Sequence, residues 1–147
     1  MQNCFYCEKT EKLNSLMIPV IELQYSMVYL NRDQKHRGRC IVALKEHKTE
    51  YFQMTEEQNA GYFAEVSLTA RVIQNIFHPD KINYATFGDM VPHVHVHVVP
   101  KYQDGLQWGE AFHDDVPKEI FTDIEYQNMT DKLQKEFVKC LEQAERS

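Results

Sequence analysis

Apolar positions recur along this chain with two periods, one suited to strands and one to helices. Leu16-Met17-Ile18-Pro19-Val20-Ile21 and Met27-Val28-Tyr29-Leu30 predict two short strands. The polar segment from Asn31 to Arg37 leads through Gly38 into a third, Arg39 to Leu44. Thr55-Glu56-Glu57-Gln58 has the pattern of a helix-capping box, and Tyr62, Phe63, Val66, Leu68, Val72, Ile73 and Ile76 follow at roughly helical spacing. That helix ends near Phe77, because Pro79 cannot continue it. Lys81 to Phe87 alternates as a fourth strand, and Gly88-Asp89 turns the chain into His93-Val94-His95-Val96-His97-Val98-Val99-Pro100. Residues 101–128 are polar and irregular, and a terminal helix is expected over Thr130–Glu145 with Leu133, Phe137, Val138 and Leu141 on one face. Strands with an inserted helix predict an α+β domain with an antiparallel sheet, not a regular βαβ alternation.

The histidine run carries the most information. Its alternation matches the period of a strand, so the three imidazoles leave one face while Val94, Val96 and Val98 pack into the core. Pro92 and Pro100 are expected to bracket the strand, since a strand interior rejects proline. Imidazole is neutral or charged near pH 7 and serves as nucleophile or proton donor. A neutral imidazole can attack a phosphorus centre, and the covalent phosphorus–nitrogen intermediate divides one displacement into two easier ones. The middle histidine suits that role, with a neighbour on each side to orient it and to donate to phosphoryl or leaving-group oxygens. Zinc chelation by His-x-His is the alternative. Same-face residues lie roughly 6.5–7 Å apart along a strand, so three histidines do not converge easily on one ion. His36, His78 and His113 are isolated and read as ordinary structural or surface residues.

Size and charge bound the rest. The length of 147 residues fits one domain, 1–147, with its own core. A formal charge of −6 argues against nucleic acid and anionic membrane as partners. No run of about 18 apolar residues exists, and Met1-Gln2-Asn3-Cys4 lacks the regions of a signal peptide, so a cytoplasmic location is expected. In that reducing setting Cys4-x2-Cys7 reads as a metal half-site, whereas Cys40, inside an apolar run, reads as a small buried hydrophobe.

Gly88-Asp89-Met90-Val91-Pro92, continuing through the histidine run to Lys101, resembles the signature of the histidine-triad superfamily of nucleotide hydrolases and transferases. Asn31-Arg32 and the segment Gly38 to His47 resemble the ribose-contacting strand and hairpin of its fragile-histidine-triad branch. Asn83-Tyr84 followed by Gly88 resembles bacterial members. The resemblance implies a sheet of about five antiparallel strands with a long helix packed on it, and a homodimer joined through sheet edges and helices. It implies cleavage of AMP-X substrates, phosphoramidates or dinucleoside polyphosphates, at the α-phosphorus through nucleotidyl-His95. His97 would assist proton transfer and His93 would orient His95. Asn31 would meet the ribose hydroxyls, Asn83 the ribose or phosphate, and Leu30 or Ile18 the base. Asp89 borders the phosphate site where members usually carry glutamine, Met90 replaces a frequent hydroxyl, and Arg39 stands in place of a frequent histidine. Cys4, Cys7, His47 and His93 match the ligands of a structural zinc found in some members. The rival from another class is a purine-nucleotide-binding regulatory or interaction protein with vestigial turnover.

Overall fold

The computed structural model describes Cys4–Arg146; the leaderless reading of Met1-Gln2-Asn3 lies outside the described residues. Five strands form one antiparallel sheet in the order β1-β2-β3-β5-β4: β1 Met17–Glu22, β2 Ser26–Asn31, β3 Cys40–Leu44, β4 Lys81–Ala85 and β5 His95–Lys101. Two short helices, α1 Phe5–Glu8 and α2 Glu11–Leu16, precede the sheet. The long α3, Glu56–Phe77, lies between β3 and β4, and α4, Asp123–Arg146, closes the chain. The α+β architecture, the long helix and the C-terminal helix are as the sequence predicts.

Side-chain alternation divides the sheet into two unlike faces. Val28, Leu30, Val42, Val94, Val96 and Val98 pack with Tyr62, Val66 and Ile73 of α3 and with Tyr126, Met129, Leu133 and Phe137 of α4. The Tyr62 hydroxyl satisfies itself inside this core by donating to the Val42 carbonyl at 2.7 Å. The opposite face is covered near its centre by α1 and α2, through Cys4, Tyr6 and Leu13 against Met17, Tyr29, Ile41 and Ala43. Leu30 and Ile18 belong to the helix-covered core, which corrects their expected place beside a base.

Local signals explain most boundaries. Thr55 and Gln58 form the predicted reciprocal cap on α3. The α4 helix begins seven residues earlier than expected because Thr122 and Glu125 form a second capping box, with Glu125 N–H donating to Thr122 Oγ1 at 3.2 Å and Thr122 N–H to Glu125 Oε1 at 3.1 Å. Its buried stripe runs through Tyr126, Met129, Leu133, Phe137 and Cys140, leaving Val138 and Leu141 exposed, contrary to the expected face. Pro100 lies inside β5, opposite Ile82, and does not end it. It is tolerated because the pairing of β5 with β3 stops at Val98, so no ladder on that side needs the missing N–H.

Gly38 sets the entry to β3. Its φ of +100° lies in the region that favours glycine, and an added Cβ would meet the Phe77 ring at 2.7 Å. Gly38→Ala is expected to cost about 2 kcal/mol, from backbone strain and overpacking together. Urea unfolding of the variant checks this; an unchanged midpoint would mean the turn relaxes freely.

Candidate active site and metal centre

Four ligand-bearing side chains meet where α1 crosses the sheet. Cys4 and Cys7, one helical turn apart, face His47, in the connection from β3 to α3, and His93, and their ligand atoms all lie within 4.8 Å of one another. Cys4 Sγ is 3.4 Å and Cys7 Sγ 3.6 Å from His93 Nδ1, which is 3.1 Å from His47 Nδ1; Cys7 Sγ is 3.2 Å from that same His47 atom. His93 Nε2 donates to the Leu44 carbonyl at 2.7 Å, so its Nδ1 turns an unprotonated lone pair toward the thiols. Such a carbonyl contact commonly orients a metal-binding histidine. Two thiols and two correctly turned imidazoles fit a tetrahedral cation site. Burial and the contact with Cys4 push the Cys7 thiol up to about 11. All four cysteines are unpaired, and Cys40, fully buried, has its thiol pushed up to about 12 by desolvation.

Beyond this cluster the next two histidines stand side by side, their ring centroids 5.3 Å apart. His95 Nδ1 is 2.6 Å from the His93 carbonyl, which can only accept, so Nδ1 carries the proton and Nε2 the lone pair. His97 has the opposite tautomer. Its Nδ1 accepts from Arg39 Nη2 at 3.0 Å, which leaves the proton on Nε2. Burial lowers the basicity of His93 and His95. Burial, then Arg39 and His95, bring His97 down to about 3. Tyr6 of α1 lies over the pair formed by His93 and His95, 5.2 Å from each ring centroid.

Arg39 is buried, and both of its terminal nitrogens are held. Its Nη1 meets Asp114 Oδ1 at 3.1 Å, its guanidinium carbon lies 4.9 Å from the Phe112 ring centroid, and its Nε has no hydrogen-bond partner among the described residues. Lys35 Nζ reaches the same Asp114 oxygen at 3.2 Å and Asp33 Oδ2 at 2.6 Å. Burial raises the Asp114 carboxyl, but Arg39 and Lys35 outweigh it and hold the group below its ordinary value. Lys101 Nζ, donating to the Gln107 and Glu110 carbonyls, ties down the same connection between β5 and α4.

Sheet register brings two further polar groups near. Asn31 N–H donates to the Arg39 carbonyl at 3.0 Å, and Asn83 pairs with Val99, two residues beyond His97. Asn31, Arg39 and Asn83 therefore occupy the same-face row next to the one that holds His97 and Ala85. Asn83 also lines a cleft of about 420 Å³ with Lys81, Lys101, Trp108 and Glu110.

The pattern of known relatives decides what this arrangement belongs to. The HIT domain family matches residues 15–104. The chain belongs to the histidine-triad family. Protein hit of Bacillus subtilis strain 168 is 29% identical over 119 residues, covering 76% of this chain and 79% of its own. A histidine triad protein from Marinobacter aquaeolei has the same fold, with a TM-score of 0.80 at 23% identity over 89% of this chain and 96% of the other. A zinc-bound histidine triad family protein from Mycobacterium smegmatis superposes with a TM-score of 0.68 at 22% identity, covering 97% of each chain. Histidine-triad membership places the chain in a superfamily of nucleotide-binding hydrolases and transferases.

Within this histidine-triad chain the structure gathers most of the predicted residues and leaves one apart. Cys4, Cys7, His47 and His93 form one cluster, and His95, His97, Asn31 and Asn83 share the neighbouring face. Asp89 stands exposed in the connection before β5 and makes no hydrogen bond or ion pair with a described residue. Phe87, from that same connection, packs its ring 5.8 Å from His97. Tyr6, Phe87, Phe112 and Asp114 were missed in the sequence. Only the replacement of histidine by Arg39 after Gly38 hinted that an acidic partner was needed. His36 is a buried structural residue, joined to Gln107 at 3.0 Å, as expected of an isolated histidine.

Proposed function

We propose that this chain is a nucleotide hydrolase or nucleotidyl transferase that cleaves AMP-X substrates at the α-phosphorus through a nucleotidyl-His95 intermediate. The opposed tautomers of His95 and His97 carry this reading: one ring presents a lone pair at Nε2, and its neighbour presents a proton at Nε2. The His95 lone pair forms a bond to phosphorus while the P–X bond breaks, its electron pair leaving with X. The His97 N–H donates a hydrogen bond to a phosphoryl or leaving-group oxygen. In the second step water adds to phosphorus, the P–N electron pair returns to His95, and the proton of water passes to solvent. Asn31 would bind the ribose hydroxyls, Asn83 the ribose or phosphate, and the His93 carbonyl would orient His95. Asp89, turned out to solvent, would border the phosphate without approaching it.

Cys4, Cys7, His47 and His93 would hold a structural Zn2+. The ion would tie the N-terminus to the strand that bears the triad and, with all four positions filled by protein, would take no part in the displacement. Free thiols suit the reducing cytoplasm. The unpaired edge of β4, with half-exposed Tyr84, supports a homodimer joined through that edge.

AMP release from adenosine 5′-phosphoramidate and from diadenosine tetraphosphate tests the reaction. Release from at least one is the expected result. Tight purine-nucleotide binding without release from either would replace it with the regulatory binding-protein reading.

A further inference from the structure

The fixed charge behind His97 bears on which bonds this site can break. A guanidinium has no acceptor and does not lose its proton in proteins, so Arg39 can only donate to His97 Nδ1. The groups facing His97 are Arg39 immediately before β3, His95 on its own strand, Asp114 from the connection before α4, and the uncharged Phe87. Asp114, which meets both Arg39 and Lys35, offsets the cation only in part, because its effect on His97 is smaller than that of the arginine. A second proton on His97 would have to sit in a partly buried place beside a permanent positive charge.

We propose that Arg39 is a positioning residue that locks His97 as a neutral Nε2–H donor, and that the enzyme thereby selects nucleoside phosphoanhydrides over nucleoside phosphoramidates. The inference rests on the nucleotidyl-His95 reading and narrows its substrate class. When the anhydride P–O bond breaks, the electron pair departs on a phosphate oxygen. That oxygen is stable as an anion and needs only a hydrogen bond, which His97 supplies without giving up its proton. When a P–N bond breaks, the pair departs on nitrogen, which must gain a proton to leave as an amine. An acid that donates efficiently has a pKa near the working pH. A neutral imidazole backed by arginine is far from that condition, since its imidazolium form is held down to about 3.

The test compares kcat/KM for diadenosine tetraphosphate and adenosine 5′-phosphoramidate in the full chain, its Arg39→His variant and its Arg39→Lys variant. The wild type is expected to favour the anhydride by about 100-fold or more, the size of one effective general acid. Arg39→His, which replaces a fixed cation with a group that can be neutral, should reduce that preference about tenfold, and Arg39→Lys should retain it. Nitrogen-15 NMR of wild-type His97 should show an unprotonated Nδ1 and a protonated Nε2. Equal or faster cleavage of the phosphoramidate by wild type, or a proton on His97 Nδ1, would overturn the inference whether or not the variants fold. An unchanged preference in folded Arg39→His would do the same. AMP release from neither substrate would instead overturn the underlying reaction, a distinguishable failure.

Discussion

His95→Ala is expected to lower AMP release by at least about 10³-fold, the scale seen when a covalent nucleophile is removed. Purine-nucleotide affinity should change little, because the ribose and phosphate contacts are assigned to Asn31, Asn83 and His97. The expectation follows from geometry that no neighbour can reproduce. His93 directs its ring into the cluster with Cys4, Cys7 and His47, its Nε2 committed to the Leu44 carbonyl, and His97 carries its proton on the nitrogen that Arg39 does not occupy. Of the three imidazoles, His95 is the one whose Nε2 lone pair remains free beside a donor. Steady-state rates and affinity for AMP, measured on the same preparation, separate the two effects. Turnover within tenfold of wild type would remove His95 from the nucleophile role.

The second large effect concerns stability. Cys4→Ser, or exhaustive chelation of the zinc-loaded protein, is expected to lower Tm by about 10 °C, corresponding to about 3 kcal/mol for a chain of this size. The Cys4–Cys7 turn holds α1 against the sheet, and α1 contributes Tyr6, which covers His93 and His95. Loss of a ligand therefore loosens the packing over the triad as well as the N-terminus. Metal content and thermal unfolding measured together decide the matter. One zinc per chain in both wild type and Cys4→Ser, with equal Tm, would rule out the four-ligand structural site. The rate constant should fall less than in His95→Ala, because His95 and His97 stand outside the cluster.

Periodicity and punctuation determined most of the architecture without help from the fold. The valines of the histidine run are in the helix-covered core, α3 starts and stops where Thr55 and Pro79 require, and the histidine-triad family is legible in a contiguous motif. These features depend on residues close in sequence, whose spacing already dictates which side of an element they occupy. The capping box of Thr122 and Glu125 was equally local, and the start of α4 could have been read from it. Pro100 could not, because its acceptance in β5 depends on where a different strand ends.

Tertiary structure alone decided what surrounds the histidines. Two tautomers followed from a backbone carbonyl and an arginine, the latter placed 58 residues away in sequence by the pairing of β3 with β5. Asp114 reaches Arg39 from an irregular connection with no periodicity to predict its direction. Tyr6 covers His93 and His95 only because α1 folds back over the sheet. Strand and helix identity is set by local spacing, whereas proton placement is set by which donor or acceptor lies within about 3 Å, and that distance is a property of the folded chain.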